Sequence, residues 1–152
     1  MNNKTHRILA VCLGNICRSP IAHGLLIHHG KRLGLTVEID SAGTINNHAG
    51  ASPDPRSIEV MKQNNHDITS QISRIIKQTD FEYYDLILVM DQNNFNDVCS
   101  LAENQNQKSK VHMVLTNKEE VPDPYFGGDS GFKKVYKMLD EAIPLWLTQG
   151  AG

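Results

Sequence analysis

A thiol and a guanidinium stand six residues apart in the stretch Val11 to Pro20: Cys12 and Arg18. A thiol attacks as its thiolate, the free group has a pKa of about 8.5, and a helix N-terminus or a neighbouring guanidinium favours the charged form. Between the two lie Leu13, Gly14, Asn15, Ile16 and Cys17, whose backbone N–H groups can wrap the oxygens of an anion. Gly14 permits close backbone approach, and Asn15 tolerates unusual loop torsions. Arg18 offers a planar fork to two oxygens, which a lysine does not. Ser19 brings a hydroxyl that can donate to the Cys12 sulfur. The chemistry this set fits is displacement at phosphorus, in which thiolate attack gives a phosphocysteine that water then hydrolyses. The leaving oxygen needs an acid and the water needs a base, and one carboxyl group can serve both in turn. Asp123 is the candidate: Pro122 and Pro124 stiffen its loop, and Tyr125 and Phe126 can wall a pocket for an aromatic leaving group.

The elements around this stretch must hold it. Arg7 to Val11 reads as a strand, and Ile21 to Leu33 as a helix with Ser19 as N-cap and Pro20 in first position. Gly34 closes that helix. Thr36 to Asp40 alternates as a second strand, and Ser41 to Pro55 is loop. A helix starts at Asp54-Pro55-Arg56, and Ile72, Ile75 and Ile76 form a short amphipathic stretch. Tyr84 to Met90 is the clearest buried strand, followed by a short helix over Asn93 to Ala102 and a last strand over Lys110 to Leu115. Thr116 to Gly131 is loop. Phe132 to Leu147 is the closing helix, in which Pro144 introduces a kink or ends the regular part. Alternating strands and helices predict a parallel sheet covered on both faces. Ligands of such sheets bind beyond the carboxyl ends of the strands, so Cys12, Ser41, Asp91 and Asp123 are expected to meet on one rim.

The chain has 152 residues, a formal net charge of -2 and three cysteines. That size fits one domain over residues 1–152 with a core of its own. The charge gives no basic field for nucleic acid and no polybasic membrane patch. The polar start, Met1 to Arg7, and the shortness of the apolar run Leu86 to Met90 argue against a signal peptide and a membrane span. An odd, sparse cysteine set argues for a reducing compartment, read as the cytoplasm. Cys12, Cys17 and Cys99 with scattered histidines do not make a four-ligand zinc site, so no metal or cofactor is expected. An NTPase phosphate loop is disfavoured because the Gly-Lys-Ser/Thr ending is missing. His23, His28 and His29 in the first helix read as solvated or partly packed, and Tyr83 and Tyr84 as packing residues at a strand start.

Val11 to Pro20, read as VCLGNICRSP, together with Asp123-Pro124-Tyr125, resembles the low-molecular-weight protein tyrosine phosphatase family. The likeness extends to Asp40-Ser41-Ala42-Gly43-Thr44, Asp54-Pro55-Arg56 and Asp85 to Asn94. It implies an α/β three-layer sandwich with a four-stranded parallel sheet, and metal-free hydrolysis of phosphotyrosine. By motif match it makes Cys12 the nucleophile, Arg18 the phosphate clamp and Asp123 the general acid. Asn15, Ser19, Ser41 and Asp91 support the loop. Cys17 stands where relatives carry a second loop cysteine, which implies a reversible Cys12–Cys17 disulfide. The implied partner is a phosphotyrosine-bearing protein, a tyrosine kinase among the candidates, met by a monomer or weak dimer. Two positions depart from the family pattern. The wall after Ser41, including Asn47 and His48, is polar where relatives often carry a large apolar residue, and Gln71 replaces a supporting histidine. Three other readings stand beside this one. A thioredoxin-coupled arsenate reductase would need a cysteine pair beyond the loop, and only Cys99 is there. A phosphoarginine phosphatase is disfavoured by Ile16 and Tyr125. A binding module without turnover is disfavoured by the presence of nucleophile, clamp and acid together.

Overall fold

The computed structural model describes residues 5–117 and 119–149. Four strands form one parallel sheet in the order β2-β1-β3-β4, where β1 is Thr5–Cys12, β2 Thr36–Gly43, β3 Leu86–Val89 and β4 Val111–Met113. β1 lies inside the sheet and is fully buried from Ile8 to Cys12. Its alternation assigns the faces, because successive side chains of a strand point oppositely. Ile8, Ala10 and Cys12 join the core formed with helices α1 (Arg18–Arg32), α2 (Pro55–Gln63) and α6 (Gly128–Gln149). Leu9 and Val11 join the opposite core, with Phe81 of α3 (Gln78–Tyr83) and Val98 of α4 (Gln92–Leu101). The expected α/β sandwich with helices on both faces is therefore present.

Several boundaries differ from the sequence reading. α1 begins at Arg18, with Cys17 as N-cap residue and no side-chain cap. Ser19 is thus inside the first turn instead of capping it, because its hydroxyl is committed elsewhere. The amphipathic stretch Ile72 to Ile76 is not helical; Gly43 N–H donates to Arg74 O at 2.8 Å, and Ile76 N–H to Gly43 O at 2.9 Å, so the segment shields the end of edge strand β2. α3 and α5 (Gln105–Lys108) are too short for a period to show, and side chains fix them: Asp80 accepts from Lys77 N–H, and Asn104 from Gln107 N–H. Tyr83 accordingly ends a helix, and strand β3 begins only at Leu86. Pro144 does not end α6, since Leu139, Ile143 and Leu147 form one buried stripe across it. His29 is buried, with Nε2 bonded to Asp140 on α6 at 2.6 Å. No described helix is long and apolar enough to cross a membrane.

Candidate active site

Cys12 is the last residue of β1, and the chain turns at once into the loop that opens α1. This loop is held by its carbonyls. Leu13 O accepts from Thr44 N–H at 2.9 Å and Ile45 N–H at 3.1 Å. Gly14 O accepts from Ser73 Oγ at 3.0 Å, Ile16 O from Asp54 N–H at 2.8 Å, and Cys17 O from Ser57 Oγ at 3.0 Å. All peptides among the described residues are trans, and in a planar trans peptide the N–H points opposite to the C=O. The N–H groups of Gly14, Asn15, Cys17 and Arg18 are therefore aimed away from the scaffold, and none has an acceptor among the described residues. Together with the uncapped start of α1 they supply the free backbone donors that suit an anion. Gly43 makes room for the loop, since a Cβ there would lie 2.7 Å from Leu13 O.

Asn15 takes φ +58°, a conformation Asn adopts more readily than most residues, and its side chain is bonded at both ends. Its Oδ1 accepts from Arg74 N–H at 3.0 Å, which fixes the amide orientation, so Nδ2 must be the atom that donates to Ser19 Oγ at 2.7 Å. A hydroxyl has one proton. With Asn15 donating to its oxygen, Ser19 keeps that proton to donate to Cys12 Sγ, 3.1 Å away, whenever the sulfur is a thiolate. Ser19 N–H lies 3.4 Å from the same sulfur. Two donors, the Ser19 N–H and the Ser19 hydroxyl, are thus placed within reach of the sulfur.

Arg18 is buried, with Nη1 donating to Asp91 Oδ2 at 2.7 Å and to Val121 O at 2.9 Å. Asp91 also caps α4 by accepting from Asn94 N–H at 2.7 Å, so one carboxylate fixes both the Arg18 guanidinium and a helix. Asp123 is half-exposed, accepts from Tyr125 N–H at 3.0 Å, and brings Oδ2 to 4.0 Å from Arg18 Nη2. Cys12, Arg18 and Asp123 line one pocket of about 250 Å³. Leu13, Gly14, Ile16 and Cys17 line it too, together with Ile45, Asn47, His48, Tyr125 and Phe126. The expected polar wall is thus only half right: Ile45 adds an apolar surface beside Asn47 and His48. His48 lies over the loop, where a Cβ on Gly14 would come within 2.9 Å of its ring.

Cys17 is buried, and its thiol is pushed up to about 12, first by burial and then by the nearby Asp54 carboxylate. Burial also pushes the Asp54 carboxyl up, but its bonds from Arg56 outweigh this and hold it below the ordinary range. All three cysteines are free thiols. Among the described residues no cluster of three or more His, Cys, Asp or Glu is placed to hold a metal ion.

Two expected supports act elsewhere. Ser41 lies within β2, and its hydroxyl meets His23 Nδ1 at 3.1 Å instead of the loop, because β2 continues to Gly43 and aims Ser41 toward α1. Gln71 donates to Pro20 O at 3.1 Å, so it steadies the first turn of α1 and not the loop itself. The work expected of them falls to Asp54, Ser57, Ser73 and Arg74. Asp54 was legible only as a helix start, and nothing local marks Ser57 or Ser73, whose partners are about 40 and 59 residues away.

Residues 7–150 match the family described as low molecular weight phosphotyrosine protein phosphatase. The chain is 36% identical over 146 residues to the low molecular weight phosphotyrosine protein phosphatase of Schizosaccharomyces pombe, covering 90% of this chain and 91% of that one. The structure of a protein tyrosine phosphatase from Entamoeba histolytica, with Hepes in its active site, superposes with a TM-score of 0.88 at 35% identity, over 97% of this chain and 99% of that one. A Cys→Ser mutant of the YwlE arginine phosphatase, a Bacillus subtilis protein, with a phosphorylated active-site serine superposes with a TM-score of 0.87 at 25% identity, over 94% of each chain. The chain is a hydrolase that belongs to the low molecular weight phosphotyrosine protein phosphatase family.

Proposed function

We propose that the chain hydrolyses phosphotyrosine in proteins through a phosphocysteine at Cys12. The observation that carries this reading is the outward tethering of the carbonyls of Leu13, Gly14, Ile16 and Cys17, which leaves N–H groups to meet a phosphate directly above the nucleophile. Arg18 binds two phosphate oxygens as its fork, with Asp91 holding the guanidinium in place. As Cys12 attacks, negative charge gathers on the equatorial oxygens, and N–H groups that are already oriented stabilise it without rearranging. Ser19 donates to the sulfur while it is a thiolate and again when it is the leaving group of the second step. Asp123 gives its proton to the departing tyrosyl oxygen, a phenol of pKa about 10, and then takes one from the attacking water.

Leu13, Ile16, Ile45 and Tyr125 give the pocket apolar walls that suit an aromatic ring. The phosphorylated serine of the YwlE mutant supports a covalent phosphoenzyme in the family, but that protein is named an arginine phosphatase, so the leaving group must be tested. Phosphotyrosine and phosphoarginine peptides assayed side by side decide it. The proposal predicts faster turnover of phosphotyrosine, and faster turnover of phosphoarginine would overturn it. The setting proposed is the cytoplasm, where a reactive thiol stays reduced.

A further inference from the structure

Arg56 lies outside the proposed reaction, yet it touches both halves of the site. Its backbone N–H and guanidinium are held by Asp54, with Nε to Oδ1 and Nη2 to Oδ2 both at 3.0 Å. This two-point clamp fixes the plane of the guanidinium. The first turn of α2 that carries it is bolted to the phosphate loop, because Asp54 N–H bonds Ile16 O at 2.8 Å and Ser57 Oγ bonds Cys17 O at 3.0 Å. On its other side the guanidinium carbon lies 5.5 Å from the ring centre of Tyr125 and 4.5 Å from that of Phe132. Both distances are within the range of cation–π attraction. Phe132 is fully buried on α6, so it is a fixed post. Tyr125 belongs to the exposed loop that carries Asp123, and its N–H bonds the Asp123 carboxylate at 3.0 Å.

We propose that Arg56 is a positioning residue for Asp123, fixing the acid loop against the phosphate loop through the face of Tyr125. The acid loop has few other holds. Val121 is anchored by Met90 and Arg18, and Pro124 packs near Gly131. Between these points Asp123 is half-exposed and Phe126 is almost fully exposed. Proton transfer to the leaving oxygen needs the carboxyl within about 3 Å of it, so a small drift of the loop costs the acid step while leaving the phosphate cup intact. Arginine is required because lysine cannot both chelate Asp54 and present a flat face to the ring.

The inference rests on Asp123 being the general acid, and the experiment separates the two. The kcat/KM values for phenyl phosphate and p-nitrophenyl phosphate are measured in wild type, Arg56→Gln, Arg56→Lys, Asp123→Ala and Asp123→Ala/Arg56→Gln, with inhibition by inorganic phosphate as the readout of the cup. Arg56→Gln is expected to lose about tenfold on phenyl phosphate, whose leaving group needs the proton, and under threefold on p-nitrophenyl phosphate, with phosphate inhibition changed less than twofold. In the Asp123→Ala background the same substitution should cost nothing further on phenyl phosphate. Arg56→Lys, which keeps a cation beside Asp54 and spares the fold, should show the same selective loss. Equal losses on both substrates, weakened phosphate inhibition, additive losses in the double variant, or a wild-type Arg56→Lys would each overturn the positioning role. An Asp123→Ala variant without leaving-group selectivity would instead overturn the acid assignment.

Discussion

Removing Asp91 should be costly. The Arg18 side chain is 3% exposed and Asp91 19%, with 2.7 Å between Nη1 and Oδ2. Breaking a buried pair by deleting one partner costs about 3–5 kcal/mol, because the other charge stays buried and unpaired. Asp91 also caps α4, a bond worth about 1 kcal/mol. Val121 O and Asp123, the latter 4.0 Å away, remain to Arg18 and recover part of the loss. Asp91→Ala is therefore expected to lose about 3–5 kcal/mol, or about 6–20 °C in Tm for a chain of this length. Urea unfolding at pH 7.5 in phosphate-free buffer, followed by circular dichroism, measures it. Glu38→Ala is the control. Its pair with Arg7 has the same 2.7 Å separation but side chains 42% and 46% exposed, so its removal should be indistinguishable from wild type. A loss under about 1 kcal/mol for Asp91→Ala would refute the reasoning, since the pair would then behave like an exposed one.

Three further outcomes follow from the same geometry. Ser19→Ala removes the donor to the Cys12 sulfur, a charge-assisted bond worth about 1.5–3 kcal/mol, so iodoacetamide should alkylate Cys12 about tenfold or more slowly at pH 6; an unchanged rate would place the hydroxyl proton elsewhere. Cys17, pushed up to about 12, should stay unmodified at pH 8 while Cys12 reacts, as peptide mass spectrometry would show. The third concerns His23, whose pKa is lowered chiefly by burial, with Asp40 opposing and Arg74 assisting. The folded state then binds fewer protons than the unfolded chain below about pH 6.5. The contribution of His23 is complete above that pH and is lost as pH falls toward the lowered value, by at most about 1.4 kcal/mol per pH unit. His23→Asn should flatten the stability profile between pH 6.5 and 5, and an unflattened profile would exclude this histidine as the source.

What could be read from the sequence is what is local. The apolar run into Cys12, the glycine and asparagine of the loop, and Pro20 after Arg18 together specify a strand, a turn and a helix start within a few residues. Asp54 was legible as a helix start for the same reason, and the structure shows its Oδ1 accepting from Arg56 N–H at 2.8 Å. What escaped is the set of bonds that span the chain. Ser19 satisfies the local rule for a cap, but Asn15, oriented by the distant Arg74, engages its hydroxyl. Ser41 was placed on the rim because strand β2 was read as ending at Asp40; three more residues pair with β1 and turn it toward His23. Ile72 to Ile76 shows only amphipathic spacing in the sequence, and its backbone bonds to the end of β2 come from a partner distant in the chain. The fold follows from patterning, the proposed catalytic set from motif chemistry, and the scaffold of the cup only from three dimensions.

The central claim is a covalent bond between phosphorus and the Cys12 sulfur. Rapid-quench hydrolysis of p-nitrophenyl phosphate by reduced, metal-free enzyme, with the acid-quenched protein digested and mapped by mass spectrometry, tests it directly. The account predicts a burst of p-nitrophenol equal to the enzyme concentration and a phosphate on Cys12 that is absent from Cys12→Ala. Turnover with no burst and no phosphorylated peptide, or with phosphate on another residue, would contradict it.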